Sequence, residues 1–201
     1  DELATRDARM VAVHNHPNQG YGGALLAGFA AVRGELLFFM DSDGQFRVDD
    51  IASLLSRAVI QPGVVVIGYR AERRDPLLRR LNAWGWKQVV GVMLGLRGIR
   101  DIDCAFKLFP TRVVRACDVR AQGAMVNTEL LVKMRRMGVP LEQVPVEHFA
   151  RTHGTATGAN PRVILKAFQE LLRLRGRLRA WHPTSSMSRE ARPRDRLTGP
   201  L

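Results

Sequence analysis

The sequence predicts an α/β fold: a sheet with helices packed on it. Three observations carry this expectation. Apolar runs of strand length alternate along the chain with segments of helical period. At 46% hydrophobic and 25% charged residues, 201 residues can bury a core as one globular domain. The longest apolar runs stop well short of the ~20 residues that a membrane span needs.

The elements follow in order. Asp1 to Arg9 read as the end of a helix, and MVAVH (10–14) as a strand. A helix is expected over Gly22 to Val32, a strand over ELLFFM (35–40) and a helix over Val48 to Ala58, with Asp49 and Asp50 suited to its first turn. VVVIG (64–68) is the next strand. From Asp75 the segment PLLRRLNAWGWKQVVGVMLGL reads as helix, with two tryptophans and aliphatic residues on more than one face. Such a helix is buried or touches something oily. CAFKLFP and VPLEQVPVEHF read as short strands flanking a helix over Thr128 to Met137, which Gly138 and Pro140 end. No internal repeat is visible.

Between Pro161 and Trp181, Val163, Ala167, Leu171, Leu174, Leu178 and Trp181 recur at helical steps and define one apolar face. Arg162, Lys166, Arg173, Arg175, Arg177 and Arg179 make the remainder strongly basic. Residues 182–201 are polar, contain proline and are expected to be disordered. The organisation expected is therefore one domain over 1–160, a basic amphipathic helix over 161–181 and a tail.

The formal charge of +12, from 31 Lys plus Arg against 19 Asp plus Glu, favours polyanionic partners: nucleic acid, an anionic membrane surface or phosphate-bearing substrates. Two cysteines, Cys104 and Cys117, supply neither a disulfide framework nor metal-ligand spacing, which points to a reducing cytoplasm.

The most informative stretch is LLFFMDSDGQ (36–45), where Asp41 and Asp43 end an apolar strand. Side chains two residues apart on an extended chain project to the same side, so both carboxylates can converge on one divalent cation. A calcium loop of the EF-hand kind would need glycine and glutamate where Phe46 and Ala52 stand. A phosphatase of the haloacid dehalogenase type would need threonine where Gln45 stands. Two readings stay open at the level of the pair itself: a cation site facing a diphosphate, and a turn capped by two aspartates.

Further segments decide between them by resemblance. NQGYGGALLAGF resembles the N-x-G-x-G-x-A-x-x-x-G segment of family 2 glycosyltransferases, in the branch of dolichyl-phosphate mannosyltransferases and bacterial polyprenyl-phosphate sugar transferases. DSDGQ resembles that family's D-x-D-x-Q metal motif, GYRAERRD the loop after its third strand, and RDIDCAFKLF its D-x-x-x-x-F-[RK] segment. NTELL and VPVEHFARTHG are similar to its later elements.

The resemblance implies a GT-A type fold, a Rossmann-like nucleotide-diphospho-sugar transferase with a mixed sheet flanked by helices. It implies Mg²⁺ or Mn²⁺ held by Asp41 and Asp43, with Gln45 completing the shell, and an inverting transfer of hexose from a GDP- or UDP-linked donor to a polyprenyl phosphate. Asn18, Gly20, Gly22, Asp41 and Arg151 would then meet the donor, and Arg70, Arg79, Arg80 and Lys107 the acceptor phosphate. Asp43, Asp101 and Asp103 would serve the reaction, either of the latter two orienting the nucleophile. Arginine forks suit phosphate oxygens, although a solvated basic face is the other account of the run Arg70, Arg73, Arg79 and Arg80. Glu129 reads as a helix-start carboxylate, and His148 and His153 carry no assigned role.

A lipid acceptor would also account for the tryptophan-rich helix and the basic amphipathic one, as a peripheral contact with anionic lipid at the inner face of the membrane. The family's first strand turn and its Asp-Gly-Ser element, which cradle base and ribose, have no counterpart here, so, unless further residues precede Asp1, the nucleotide pocket is expected to be incomplete and the chain alone weakly active or inactive. The contrasting expectations are a non-catalytic remnant, or a basic module binding nucleic acid through its charge, for which no motif speaks.

Overall fold

A computed structural model describes residues 1–71, 77–121, 123, 125–149 and 161–191, with the side chains at 77–80, 82, 161–164 and 190–191 outside that description. Its elements in chain order are α1 (Glu2–Arg6), α2 (Gly20–Ala31), β1 (Leu36–Met40), a single 3-10 turn (Val48–Asp50) leading into α3 (Ile51–Ile60), β2 (Val65–Arg70) and α4 (Leu77–Leu94). They continue with β3 (Phe106–Pro110), α5 (Thr111–Cys117), α6 (Val126–Arg136), β4 (Leu141–Val146), α7 (Pro161–Ala180) and α8 (Ser185–Ala191).

The four strands form one mixed sheet in the order β1, β3, β2, β4. β3 runs antiparallel to both neighbours, with Met40 opposite Phe106 and Ile67 opposite Lys107, whereas β2 and β4 are parallel, with Arg70 beside Val146. All five residues of β3 are buried, because both faces of the sheet are covered. On one face Leu37, Phe39, Val65, Ile67 and Phe109 join side chains of α2, α4, α5, α6 and α7 in the main core. On the other, Val66, Phe106, Leu108 and Val144 pack under Leu54 of α3. The alternation of faces follows directly from the two-residue period of a strand. Gly68 is required by close approach: a Cβ there would lie 2.9 Å from the carbonyl oxygen of Phe106.

Two expectations need correction. MVAVH forms no strand; Met10, Val11 and Val13 stand exposed, so its apolar residues find neither a ladder nor a core. The segment expected to be a disordered tail contains α8, which packs on α5 and sets Met187 against the main core. α5 itself gave no sequence signal. It is seven residues long, too short for a recognisable period, and begins immediately after the strand-ending Pro110.

Leu171, Leu174 and Leu178 of α7 are at most 1% exposed and belong to the main core, while Leu172 is 59% exposed. Leu174→Ala should therefore lower the unfolding free energy by about 2–5 kcal/mol in urea titrations. Leu172→Ala should stay within about 0.5 kcal/mol of the parent protein.

Candidate active site

The strand directions assemble the site. Because β3 is reversed between β1 and β2, the end of β1 (Asp41, Asp43), the end of β2 (Arg70), the approach to β3 (Asp101, Asp103) and the end of β4 (Glu147 to Phe149) all lie on one edge of the sheet. This is the edge beyond the carboxyl ends of the parallel strands, where open α/β sheets bind ligands. Residues as far apart in sequence as Gln45 and Phe149, 104 positions, thus meet there.

Asp41 and Asp43 follow β1 and are both partly accessible. Gly44, with φ +72°, turns the chain in a conformation suited to glycine, and the amide of Gln45 donates to Asp43 Oδ1 at 3.2 Å. Gln45 Nε2 donates to the carbonyl of Phe149 at 3.0 Å, while the Phe149 amide donates to the Gln45 carbonyl at 2.9 Å. Phe46 and His148 continue the pairing as a β-bridge, with their rings edge to face at 5.2 Å. Two carboxylates and a carboxamide are hard oxygen donors of the kind that Mg²⁺ or Mn²⁺ takes. Among the described residues no group of three or more His, Cys, Asp or Glu could hold a metal ion. A cation here would share its coordination with substrate oxygens and water, the usual habit of Mg²⁺ beside phosphates.

The start of α2 supplies a second wall. Asn18 Oδ1 accepts the Gly20 amide at 2.8 Å, and Gly20 takes φ +69°, so the turn is built by a short side chain followed by a residue without Cβ. Gly22 is buried in the first turn of α2. Between these glycines stands Tyr21. Burial and the charges of Asp41 and Asp103 push its hydroxyl up to about 12, with the Asn127 side chain of α6 opposing the shift. Tyr21 and Asn127 are the site residues that sequence reasoning missed. The available signal was an aromatic residue inside NQGYGG and a second polar residue inside NTELL, where only Glu129 was considered.

Arg70 and Asp101 form a bidentate pair at 2.6 and 2.9 Å, with side-chain exposures of 13% and 10%. Burial opposes the Arg70 charge, but hydrogen bonding and attraction from Asp101 outweigh it and hold the guanidinium above its usual range. The expected acceptor-side cation and the expected acceptor-side acid are thus committed to each other through Nε and Nη2 of Arg70. Asp103, two residues on, is exposed.

Lys107 is not on the surface of this site. It is fully buried in β3, where its ammonium donates to the carbonyls of Ile102 and Cys104 and lies 5.5 Å from the centre of the Phe39 ring. Burial lowers its pKa. A phosphate would reach it only by displacing those carbonyls, so its evident task is to hold the loop that carries Asp101 and Asp103. The same burial pushes the Cys104 thiol up to about 11.

Glu129 lies deeper still. Its carboxylate pairs with Lys133 at 2.6 Å and accepts the amides of Arg120 and Ala121 at 3.2 and 2.7 Å, fixing the loop before α6. Arg73 and Arg151 lie outside the described residues, as do the side chains of Arg79 and Arg80 at the start of α4.

The mixed sheet with helices on both faces is a fold of the GT-A type. The chain belongs to glycosyl transferase family 2, whose profile it matches over residues 1–116. It is 36% identical over 146 residues to the dolichyl-phosphate beta-glucosyltransferase ALG5A of Trichomonas vaginalis, covering 66% of this chain and 44% of that one. It is 28% identical over 174 residues to the dodecaprenyl-phosphate galacturonate synthase of Rhizobium johnstonii, covering 82% of this chain and 49% of the relative. The chain thus spans less than half of either relative's length. Among solved structures, glucosyl-3-phosphoglycerate synthase from Mycobacterium tuberculosis, crystallised with uridine diphosphate, shares the fold at TM-score 0.59 and 20% identity. That likeness covers 87% of this chain and 58% of the other. The same synthase has also been crystallised with Mn²⁺, UDP-glucose and glycerol 3-phosphate, at TM-score 0.54.

Replacing Arg70 by Ala would strand a buried carboxylate. Arg70→Ala should cost about 3–5 kcal/mol of stability in urea unfolding, and adding Asp101→Asn should recover part of that loss.

Proposed function

We propose that this chain forms the catalytic core of a metal-dependent, inverting hexosyltransferase that moves a sugar from a GDP- or UDP-linked donor to a polyprenyl phosphate. The observation that carries the reading is the gathering of Asp41, Asp43 and Gln45 on the same sheet edge as Arg70, Asp101 and Asp103. Support comes from the relatives, named for transfer of sugars to dolichyl or dodecaprenyl phosphate, and from a neighbour crystallised with Mn²⁺ and UDP-glucose.

In this reading Asp41, Asp43 and Gln45 hold Mg²⁺ or Mn²⁺, and Asn18, Gly20 and Gly22 border the donor, with Arg151 beside its diphosphate. The bound cation would offset charge on the departing nucleoside diphosphate. On the acceptor side, Arg70 keeps Nη1 outside its pair with Asp101 and can offer it to a phosphate oxygen, with Arg79 and Arg80 as further acceptor contacts. A phosphate monoester is already anionic near neutral pH, so it can attack the anomeric carbon with little help in losing a proton. The protein's contribution is chiefly alignment and charge placement, with Asp101 and Asp103 fixing the direction of approach. In a complete enzyme, Asp43→Asn should abolish metal-dependent transfer to a polyprenyl phosphate, measured with radiolabelled donor; activity that survives at a substantial level would refute the assignment.

A lipid acceptor requires a surface that can meet a bilayer. Among the described residues no helix is long and apolar enough to cross a membrane. α4 and α7 instead expose Leu81, Trp84, Leu165 and Leu172, and Trp86 joins the two helices by its edge-to-face contact with Phe168 at 5.2 Å. Lys87, Lys166, Arg173 and Arg179 lie on the same two helices. Exposed apolar side chains and cations on the same two helices suit peripheral attachment to anionic lipid, here at the cytoplasmic face of the membrane. The protein should float with vesicles containing phosphatidylglycerol, less so in high salt, and Trp84→Glu with Leu172→Glu should leave it in the soluble fraction. Equal flotation of the double variant would remove this surface from the account.

A further inference from the structure

We propose that the cleft between α7 and the loop leading into α6 is a binding site for a phosphate group, held by the guanidinium groups of Arg120, Arg173 and Arg177. The cleft shares no residue with the sheet edge that carries Asp41, Asp43 and Arg70, and its occupancy does not depend on the sugar transfer proposed there.

The cleft has a volume of about 540 Å³, ample for a phosphate ester. One wall comes from the loop before α6, with Arg120 and Gly123, and the other from α7, with Glu170, Arg173 and Arg177. Positions 170, 173 and 177 follow one another at steps of three and four, so the helix stacks them on one flank. The loop is held in place by the interior: the Glu129 carboxylate accepts the amides of Arg120 and Ala121 at 3.2 and 2.7 Å, and the Lys133 ammonium donates to the Asp118 carbonyl at 2.8 Å. The two walls meet at Arg177, whose Nη1 donates to the Arg120 carbonyl at 3.5 Å. They meet again at Gly123, where a Cβ would lie 2.5 Å from Glu170 Oε2, so the absence of a side chain lets the Glu170 carboxylate lie against the loop.

The charges favour an anion. Arg120 pairs with Asp118 through Nε and Nη2, at 3.1 and 2.8 Å from Oδ2, and keeps Nη1 outside that pair. Arg177 gives one nitrogen to the Arg120 carbonyl, and Arg173 stands one turn earlier on the same flank. Three guanidinium groups thus outnumber the two carboxylates beside them, Asp118 and Glu170, and Lys166, one turn before Glu170, adds a further cation to that flank. Guanidinium forks match phosphate oxygens in shape as well as in charge, and each can place two parallel hydrogen bonds on one group. A dissolved phosphate ester and the headgroup of a phospholipid offer the same chemistry to these forks.

The test is calorimetric titration of the whole chain in EDTA, so that no divalent ion can bridge a phosphate to Asp41 and Asp43. Two phosphate monoesters serve as probes: glycerol 3-phosphate, and dihexanoyl phosphatidic acid kept below its micelle concentration. At least one should bind, and Arg173→Gln with Arg177→Gln should weaken it about 10-fold or more, the worth of the charged hydrogen bonds removed. Arg175→Gln with Arg179→Gln takes the same charge from the same helix outside the cleft and should change the affinity by less than about threefold in about 0.15 M salt. Tighter binding of the acylated probe would name a lipid headgroup as the source; equal or weaker binding would name a dissolved phosphate ester. Should the Arg173 and Arg177 pair of substitutions prevent folding, Glu170→Gln decides instead: loss of the carboxylate beside the forks should tighten the same probe about two- to threefold. Binding left whole by the paired substitutions, an equal loss in the control pair, no tightening in Glu170→Gln, or no binding of either probe would overturn the proposal.

Discussion

β3 runs against both of its neighbours, and the arrangement of the site follows from that reversal. In a purely parallel sheet the approach to a strand lies at the opposite edge from the exits of its neighbours. Reversing one central strand brings Asp101 and Asp103, which precede β3, to the edge where β1 releases Asp41 and Asp43 and β2 releases Arg70. Such a strand must be buried on both faces, and Phe106 to Pro110 meet that demand. The same demand forces Lys107 into the core, since every residue of a central strand faces one packed layer or the other.

The interior charges are tied to the loops around this edge. Lys107 holds the carbonyls of Ile102 and Cys104, Arg70 clamps Asp101, and Glu129 with Lys133 fixes the amides of Arg120 and Ala121 and the carbonyl of Asp118. Buried ions are poor sources of stability, because desolvation consumes most of their mutual attraction. What they supply here is definition: each one satisfies backbone or carboxylate groups that would otherwise be left unpaired where irregular chain passes close to the core. Lys133 adds a contact with the face of Trp181, and Arg136 donates to the Trp181 carbonyl, so the end of α7 is secured to α6 as well.

Much of the sheet was legible in the sequence because its strands, LLFFM, VVVIG and FKLFP, are short runs of mainly apolar residues. MVAVH has the same look but no partner, and pairing is a property of two segments that one segment cannot display. The paired aspartates were legible because their spacing carries geometry. The fate of Arg70 was not, since its partner lies 31 positions away and nothing local announces an ion pair. Lys107 misled because the sequence gives a strand's alternation without saying which layers lie above and below. Tyr21 and Asn127 were hidden for the same reason as Arg70: their relation exists only once α2 and α6 have been folded to the same end of the sheet.

The double pairing of Gln45 with Phe149 stitches the aspartate turn to the strand-like stretch after β4, through one backbone and one side-chain hydrogen bond and the bridge from Phe46 to His148. A turn fastened in this way has surrendered most of its freedom during folding. An ion arriving there would not have to freeze a wandering loop, and the entropy that capture normally forfeits has already been lost before any ligand is met.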